Sequence, residues 1–115
     1  MLVKRFEDAE PYEAPNHWDV VGLRLQGFEE GGPTNQWVGL SHYLPGGGAG
    51  PDSTPFEKVY VVLDGAATLT VGGNETVLRR YDSCTIAPDE VRKIENRSNR
   101  ICTLLVVIPY PDDAA

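Results

Sequence analysis

The chain has 115 residues, 41% hydrophobic and 23% charged, enough for one domain with a real core and too few for a catalytic domain plus a regulatory one. Seventeen acidic against ten basic residues give a net charge of −7, and no Lys/Arg run is longer than a pair such as Arg79-Arg80. That balance speaks against nucleic acid, whose non-specific affinity comes from clustered cations, and against an anionic membrane for the same reason.

In chain order, residues 1–15, MLVKRFEDAEPYEAP, turn acidic by position 7 and hold no long apolar stretch, which does not fit a signal peptide. Short apolar segments then alternate with turn residues, and none keeps a 3.6-residue period. The pattern predicts an all-β fold with strands near 17–27, 36–44, 57–63, 67–72, 75–80, 84–88, 91–96 and 101–109. Turn residues separate them at Gly31-Gly32-Pro33, across 45–51, and at Asp64-Gly65, Gly72-Gly73-Asn74, Tyr81-Asp82 and Ser98-Asn99. The tight turns at Asp64-Gly65 and Gly72-Gly73-Asn74 predict consecutive antiparallel hairpins. About eight short strands in one domain predict a sandwich or small barrel, best a double-sheet jelly roll. The longest apolar run, ICTLLVVIPY, falls short of the roughly 18 residues that suggest a membrane span. After Tyr110 a short Pro/Asp/Ala end reads as a tail. Cys84 and Cys102 lie in apolar stretches and, without an export signal, predict reduced core thiols in a cytoplasmic protein.

Residues 45–65, PGGGAGPDSTPFEKVYVVLDG, join a Gly-rich segment to a polar one and then to an apolar strand closed by Asp-Gly. The spacing resembles the first motif of the cupin family: G, five residues, H-x-H, three or four residues, E, six residues, G. Here that frame falls on Gly46, Asp52, Thr54, Lys58 and Gly65. The family's second motif, G, five residues, P, four residues, H, three residues, N, falls on Tyr81, Ala87, Arg92 and Asn96. The chain is therefore similar to a small single-domain cupin over about residues 38–109. The resemblance implies a single domain over 1–115 with a jelly-roll barrel core over about 36–109. It also implies a homodimer that pairs through residues 1–30, and outward Val59 and Val61 fit such a face or a covering second sheet. By the same resemblance Asp52, Thr54, Lys58 and Arg92 stand where the family has its metal ligands, and all four are changed. Two cations at those positions repel a divalent ion in a low-dielectric barrel, so neither a metal nor another cofactor is predicted. A metal held by a non-standard set built on His42 and Asp52 is the remaining metal-dependent reading.

Strand alternation sorts the side chains that enter the barrel. With Lys58 inward, Tyr60 and Val62 share its face; on the Arg92 strand, Ile94 and Asn96 follow. The apolar company of Val38, Leu40 and Leu44 puts His42 on a buried face. The predicted cavity is thus lined by His42, Lys58, Tyr60 and Arg92, with Asp52 and Thr54 at its mouth. Such a pocket suits a small anionic metabolite, a carboxylate or enolate, held by Arg92 in a bidentate fork. Lys58, His42 and Tyr60 are the candidate catalytic groups and Arg92, Asp52 and Thr54 the candidate substrate-binding groups of a metal-independent lyase or isomerase. A second reading is a binding or sensor module without turnover. The structural alternatives pair Lys58 with Asp52, and Arg92 with Glu90 or Glu95. They leave His42 in the core and His17 at a strand end, and make Trp18 and Trp37 packing anchors.

Overall fold

The computed structural model describes residues 1–111; residues 112–115, most of the expected tail, lie outside the described residues. After a 3-10 turn at Phe6–Asp8 come nine strands: β1 (Glu10–Tyr12), β2 (His17–Gln26), β3 (Gln36–Asp52), β4 (Lys58–Asp64), β5 (Ala66–Val71), β6 (Asn74–Arg79), β7 (Ser83–Ile86), β8 (Arg92–Glu95) and β9 (Cys102–Pro109). They pair in the order β6-β5-β8-β3-β9-β4-β7, with β2 also on β3 and β1 on β2. All the pairs are antiparallel, and the result is an almost closed barrel of the jelly-roll kind. Among the described residues no helix is long and apolar enough to cross a membrane.

The strand β3 organises the barrel. Its first part, through Tyr43, pairs with β9, and its last part, from Gly48 to Asp52, pairs with β8. β2 follows it on the other edge through both parts. The stretch 45–51, expected as a turn, is therefore a bent continuation of the strand that carries the chain from one sheet to the other. Glycine permits the bend because neighbouring backbone comes so close. A Cβ on Gly47 would overlap the Asp19 carbonyl oxygen, and one on Gly48 would overlap that of Ile94 and stand 2.7 Å from the Trp18 ring. Trp18 closes the same corner by donating its indole N–H to Gly46 O at 2.9 Å.

The turn expected to make a hairpin at Gly72-Gly73-Asn74 does so. Val71 faces Asn74, and Gly72 and Gly73 both take the left-handed φ of a two-residue turn, +58° and +80°. Asp64-Gly65 does not, because β4 pairs with β7 and β9 whereas β5 pairs with β6 and β8. The chain there crosses between sheets, and Gly65, at φ +78°, fits against the Ile101 carbonyl and Cys102 where a side chain would collide.

Inward residues of both sheets form one core: Tyr43, Val62, Leu69, Ile94, Cys102 and Leu104 are among those packed together. Cys84 and Cys102 are both free thiols, the second fully buried, and burial pushes its thiol pKa up to about 11. Asn96 ties the corner to the β8–β9 loop, donating to Tyr43 O and Arg100 O while its own carbonyl oxygen accepts from the Ser98 N–H and hydroxyl.

Gly48→Ala should cost on the order of 2–3 kcal/mol, since backbone and an anchored indole cannot both give way. In the same denaturant titration Gly72→Asn should cost only a few tenths, because Asn tolerates that turn. Equal losses would contradict the corner's assigned role.

Candidate functional site

Bordering this core is a cavity of about 370 Å³, lined in part by the core residues Tyr43, Tyr60 and Leu104. Alternation along β4 turns Lys58, Tyr60 and Val62 inward, and β8 turns Arg92 and Ile94 the same way. The register shift between Ala49 and Asp52 on β3 brings Asp52 opposite Arg92. Lys58, Tyr60, Arg92, Asp52 and Thr54 all line the one cavity, as expected.

His42 does not. It shares its parity with Leu40 and Leu44, but that parity is the outer face of β3, where its Nδ1 meets Thr103 Oγ1 at 3.1 Å and Phe6 approaches edge-on. In the first part of this strand the residues that line the cavity are Trp37, Ser41 and Tyr43. Apolar neighbours misled the assignment, since in this barrel both faces of β3 are at least partly covered. The histidine that lines the cavity is His17, at the start of β2. Its Nδ1 lies 2.8 Å from the Pro15 carbonyl, which can only accept, so Nδ1 carries the proton and Nε2 keeps its lone pair. Its ring stacks on Tyr43 at 6.5 Å between centroids. The aromatic residues Tyr12, Trp37 and Phe28 were likewise outside the expected site. Tyr12 and Phe28 meet Trp37 at 5.3 and 5.5 Å, and the Arg24 guanidinium lies 4.3 Å over Phe28.

The charges of the cavity are unusual. Lys58 is 3% exposed and Arg92 6%, and neither has a carboxylate within ion-pair distance among the described residues. Lys58 Nζ donates to Thr54 Oγ1 at 3.0 Å; Arg92 Nε donates to the Tyr60 hydroxyl at 3.0 Å, while its Nη1 is buried without a partner. The structural pairings considered for them are thus absent among the described residues. Glu95 instead binds Arg97 and Lys93, Glu90 accepts from the Ala87 N–H, and Asp52 accepts from the Ser53 N–H.

Burial lowers the Lys58 pKa, the Arg92 charge lowers it further, and Asp52 opposes them. Burial lowers that of His17 against the pull of the Pro15 carbonyl, so the imidazole is neutral at pH 7. Burial raises those of Tyr60 and Tyr43, and both stay phenols. This donor set does not fit a metal centre at the family's ligand positions. Lys58 and Arg92 present N–H groups where lone pairs are needed, and among the described residues no three His, Cys, Asp or Glu side chains converge.

The cupin domain family matches residues 39–108, and the chain belongs to that family. A protein of Mycobacterium tuberculosis named a beta-D-galactosidase is 49% identical over 111 residues, 96% of each chain. Among solved structures, the polyketide cyclase RemF of Streptomyces resistomycificus superposes with a TM-score of 0.86 at 18% identity, over 96% of this chain and 80% of that one. A predicted oxalate decarboxylase of Thermotoga maritima gives 0.78 at 22%, over 95% and 98%. At such identities the two structures speak for the fold alone.

Because folding disfavours the Lys58 cation, its cost is fully present below the folded pKa and fades as pH rises through that lowered value toward the ordinary 10.5. Lys58→Met should therefore stabilise the chain at pH values below the folded Lys58 pKa, read as a raised denaturant midpoint. A clear loss would mean that Lys58 is a structural strut. His17 works in the other direction of pH. The unfolded chain takes up a proton near pH 6.5 and the folded chain resists it, so stability falls as pH drops through 6.5 toward the lower native value. His17→Gln should flatten that part of the stability profile, and an unchanged slope would place the titration elsewhere.

Proposed function

We propose that the barrel binds a small carboxylate-bearing metabolite and converts it, without a metal, by acid/base chemistry. The observation that carries this reading is the pair of buried cations, Lys58 and Arg92, sharing one cavity with no carboxylate partner among the described residues. An unpaired buried cation is costly, and an arriving carboxylate relieves it at two points. Arg92 offers it a directional fork and Lys58 a point charge. His17, neutral with Nε2 unprotonated, is the candidate base, and Tyr60 the candidate acid, since its hydroxyl accepts from Arg92 and keeps its own proton to give. Asp52 and Thr54 border the site and orient the bound group. A carrier or sensor would use the same cations and show no turnover.

A second reading comes from the relative named a beta-D-galactosidase. Two carboxylates, Glu13 and Asp52, line the cavity together with Trp37 and Tyr12, so a sugar would find aromatic faces and a possible acid and base. Hydrolysis of a chromogenic galactoside that is lost in Asp52→Asn and Glu13→Gln would favour it over the carboxylate reading.

The proposed assembly is a homodimer through the N-terminal segment, where Val3 and Phe6 are exposed. Its cytoplasmic setting is inferred from the free thiols of Cys84 and Cys102. The primary test is a melting-curve screen of small mono- and dicarboxylates against neutral alcohols and amides of the same size. A binding carboxylate at a hundredfold its dissociation constant should add about 2.7 kcal/mol of stability, and Arg92→Gln should remove most of that gain. If no carboxylate stabilises the chain more than its neutral counterpart, the reading fails.

A further inference from the structure

Resting on the carboxylate reading, we propose that Lys58 is a nucleophile that condenses with the ketone of a 2-oxo acid to form a Schiff base, while Arg92 holds the acid's carboxylate. The chain has three lysines, and the two outside the cavity are ion-paired: Lys4 with Glu29 at 3.1 Å and Lys93 with Glu95 at 3.6 Å. Lys58 alone has a hydroxyl as its partner. That hydroxyl, Thr54 Oγ1, donates to the Phe56 carbonyl and so accepts from Nζ, which leaves the lone pair of the neutral amine outside the bond. Burial and the Arg92 charge outweigh Asp52 and let this amine lose its proton more readily than a surface lysine, with no carboxylate within ion-pair distance among the described residues, and only the neutral amine attacks a carbonyl. The Arg92 guanidinium lines the same cavity and supplies a contact for a carboxylate that a simple ketone would not use.

The step balances as follows. The Nζ lone pair attacks C2 of the 2-oxo acid, a C–N bond forms, and the carbonyl π pair moves to oxygen, which takes a proton from a donor such as the Tyr60 hydroxyl. Nitrogen gives up a proton, the carbinolamine hydroxyl takes one and leaves as water, and the nitrogen lone pair closes the C=N bond of an iminium. The net change is one amine, one ketone and one proton to iminium and water. Bonded to cationic nitrogen, the carbon chain next to C2 then holds its protons less tightly, which is the chemistry that enolisation, decarboxylation or retro-aldol cleavage needs.

The experiment is borohydride trapping with pyruvate as probe, in which hydride reduces the iminium to a stable secondary amine. Intact mass should show one adduct per chain, and peptide mapping of the unmodified sequence should place it on Lys58. Lys58→Arg, which keeps the cation, should lower labelling roughly tenfold or more. Arg92→Gln should lower labelling by pyruvate by a larger factor than labelling by acetone, which loses only the effect of the Arg92 charge on the amine. Adducts spread over Lys4 and Lys93, or labelling unchanged in Lys58→Arg, would overturn the proposal, and the mapping decides this even where a variant does not fold. Pyruvate that raises the melting temperature without a trapped adduct overturns the Schiff base and leaves the carboxylate reading standing. Pyruvate that does neither overturns the Schiff base, and the carboxylate reading is then judged by the wider acid screen alone.

Discussion

Two cations buried in one barrel, with no carboxylate within ion-pair distance among the described residues, set the terms for everything around them. Removing an ion from water costs several kcal/mol unless its partners are good, and hydroxyls are partial substitutes for a carboxylate. Here the hydroxyls are Thr54 for Lys58 and Tyr60 for Arg92. The chain has seventeen acidic residues, and it spends several of them on the surface, where Glu75 and Glu95 grip Arg97 and Glu29 holds Lys4. The interior imbalance is therefore local to the cavity and opposite in sign to the protein as a whole.

That imbalance depends on the bend in β3. A strand that ended at Leu44, as the glycines and prolines after it suggest, would leave β8 without its partner on that side. Because the strand continues, Asp52 arrives opposite Arg92 and the Arg92 strand is locked between β3 and β5. Gly50 serves the same purpose at closer range: a Cβ there would stand 2.9 Å from Arg92 Nη1 and overlap the Arg92 carbonyl oxygen. The glycine-rich segment thus makes room for a guanidinium, and the orphaned nitrogen sits in that room.

Where the sequence could be read, it was read through spacing. The two cupin frames placed Asp52, Thr54, Lys58 and Arg92 in one cavity because those frames encode strand positions, and strand parity from Lys58 gave Tyr60 and Val62 correctly. His42 failed because parity needs a reference face, and apolar neighbours are a poor one in a barrel whose outer face is also part-covered, here by Phe6. The opposite alternation, Trp37, Gly39, Ser41, Tyr43, holds the signal: polar and aromatic residues on one face of a central strand belong to a cavity wall, whereas an unbroken aliphatic face belongs to packing. His17, Tyr12 and Phe28 were beyond reach for a different reason. They come from the N-terminal third, outside both frames, and their position depends on β2 lying along β3, a long-range pairing that local pattern does not encode.

The replacement of lone-pair donors by cations changes what the site can recognise while keeping its sign. A metal bound by histidines and a glutamate presents positive charge with open coordination positions, which accept almost any oxygen. Lys58 and Arg92 present positive charge as N–H bonds with fixed directions, which reward a planar, two-oxygen anion and give little to a neutral hydroxyl. A neutral sugar would have to be held by the aromatic wall and by Glu13 and Asp52, leaving both cations as unsatisfied as before. A carboxylate would meet the two cations that lack an ion-pair partner among the described residues, and on that ground the proposed ligand is the acid and not the glycoside.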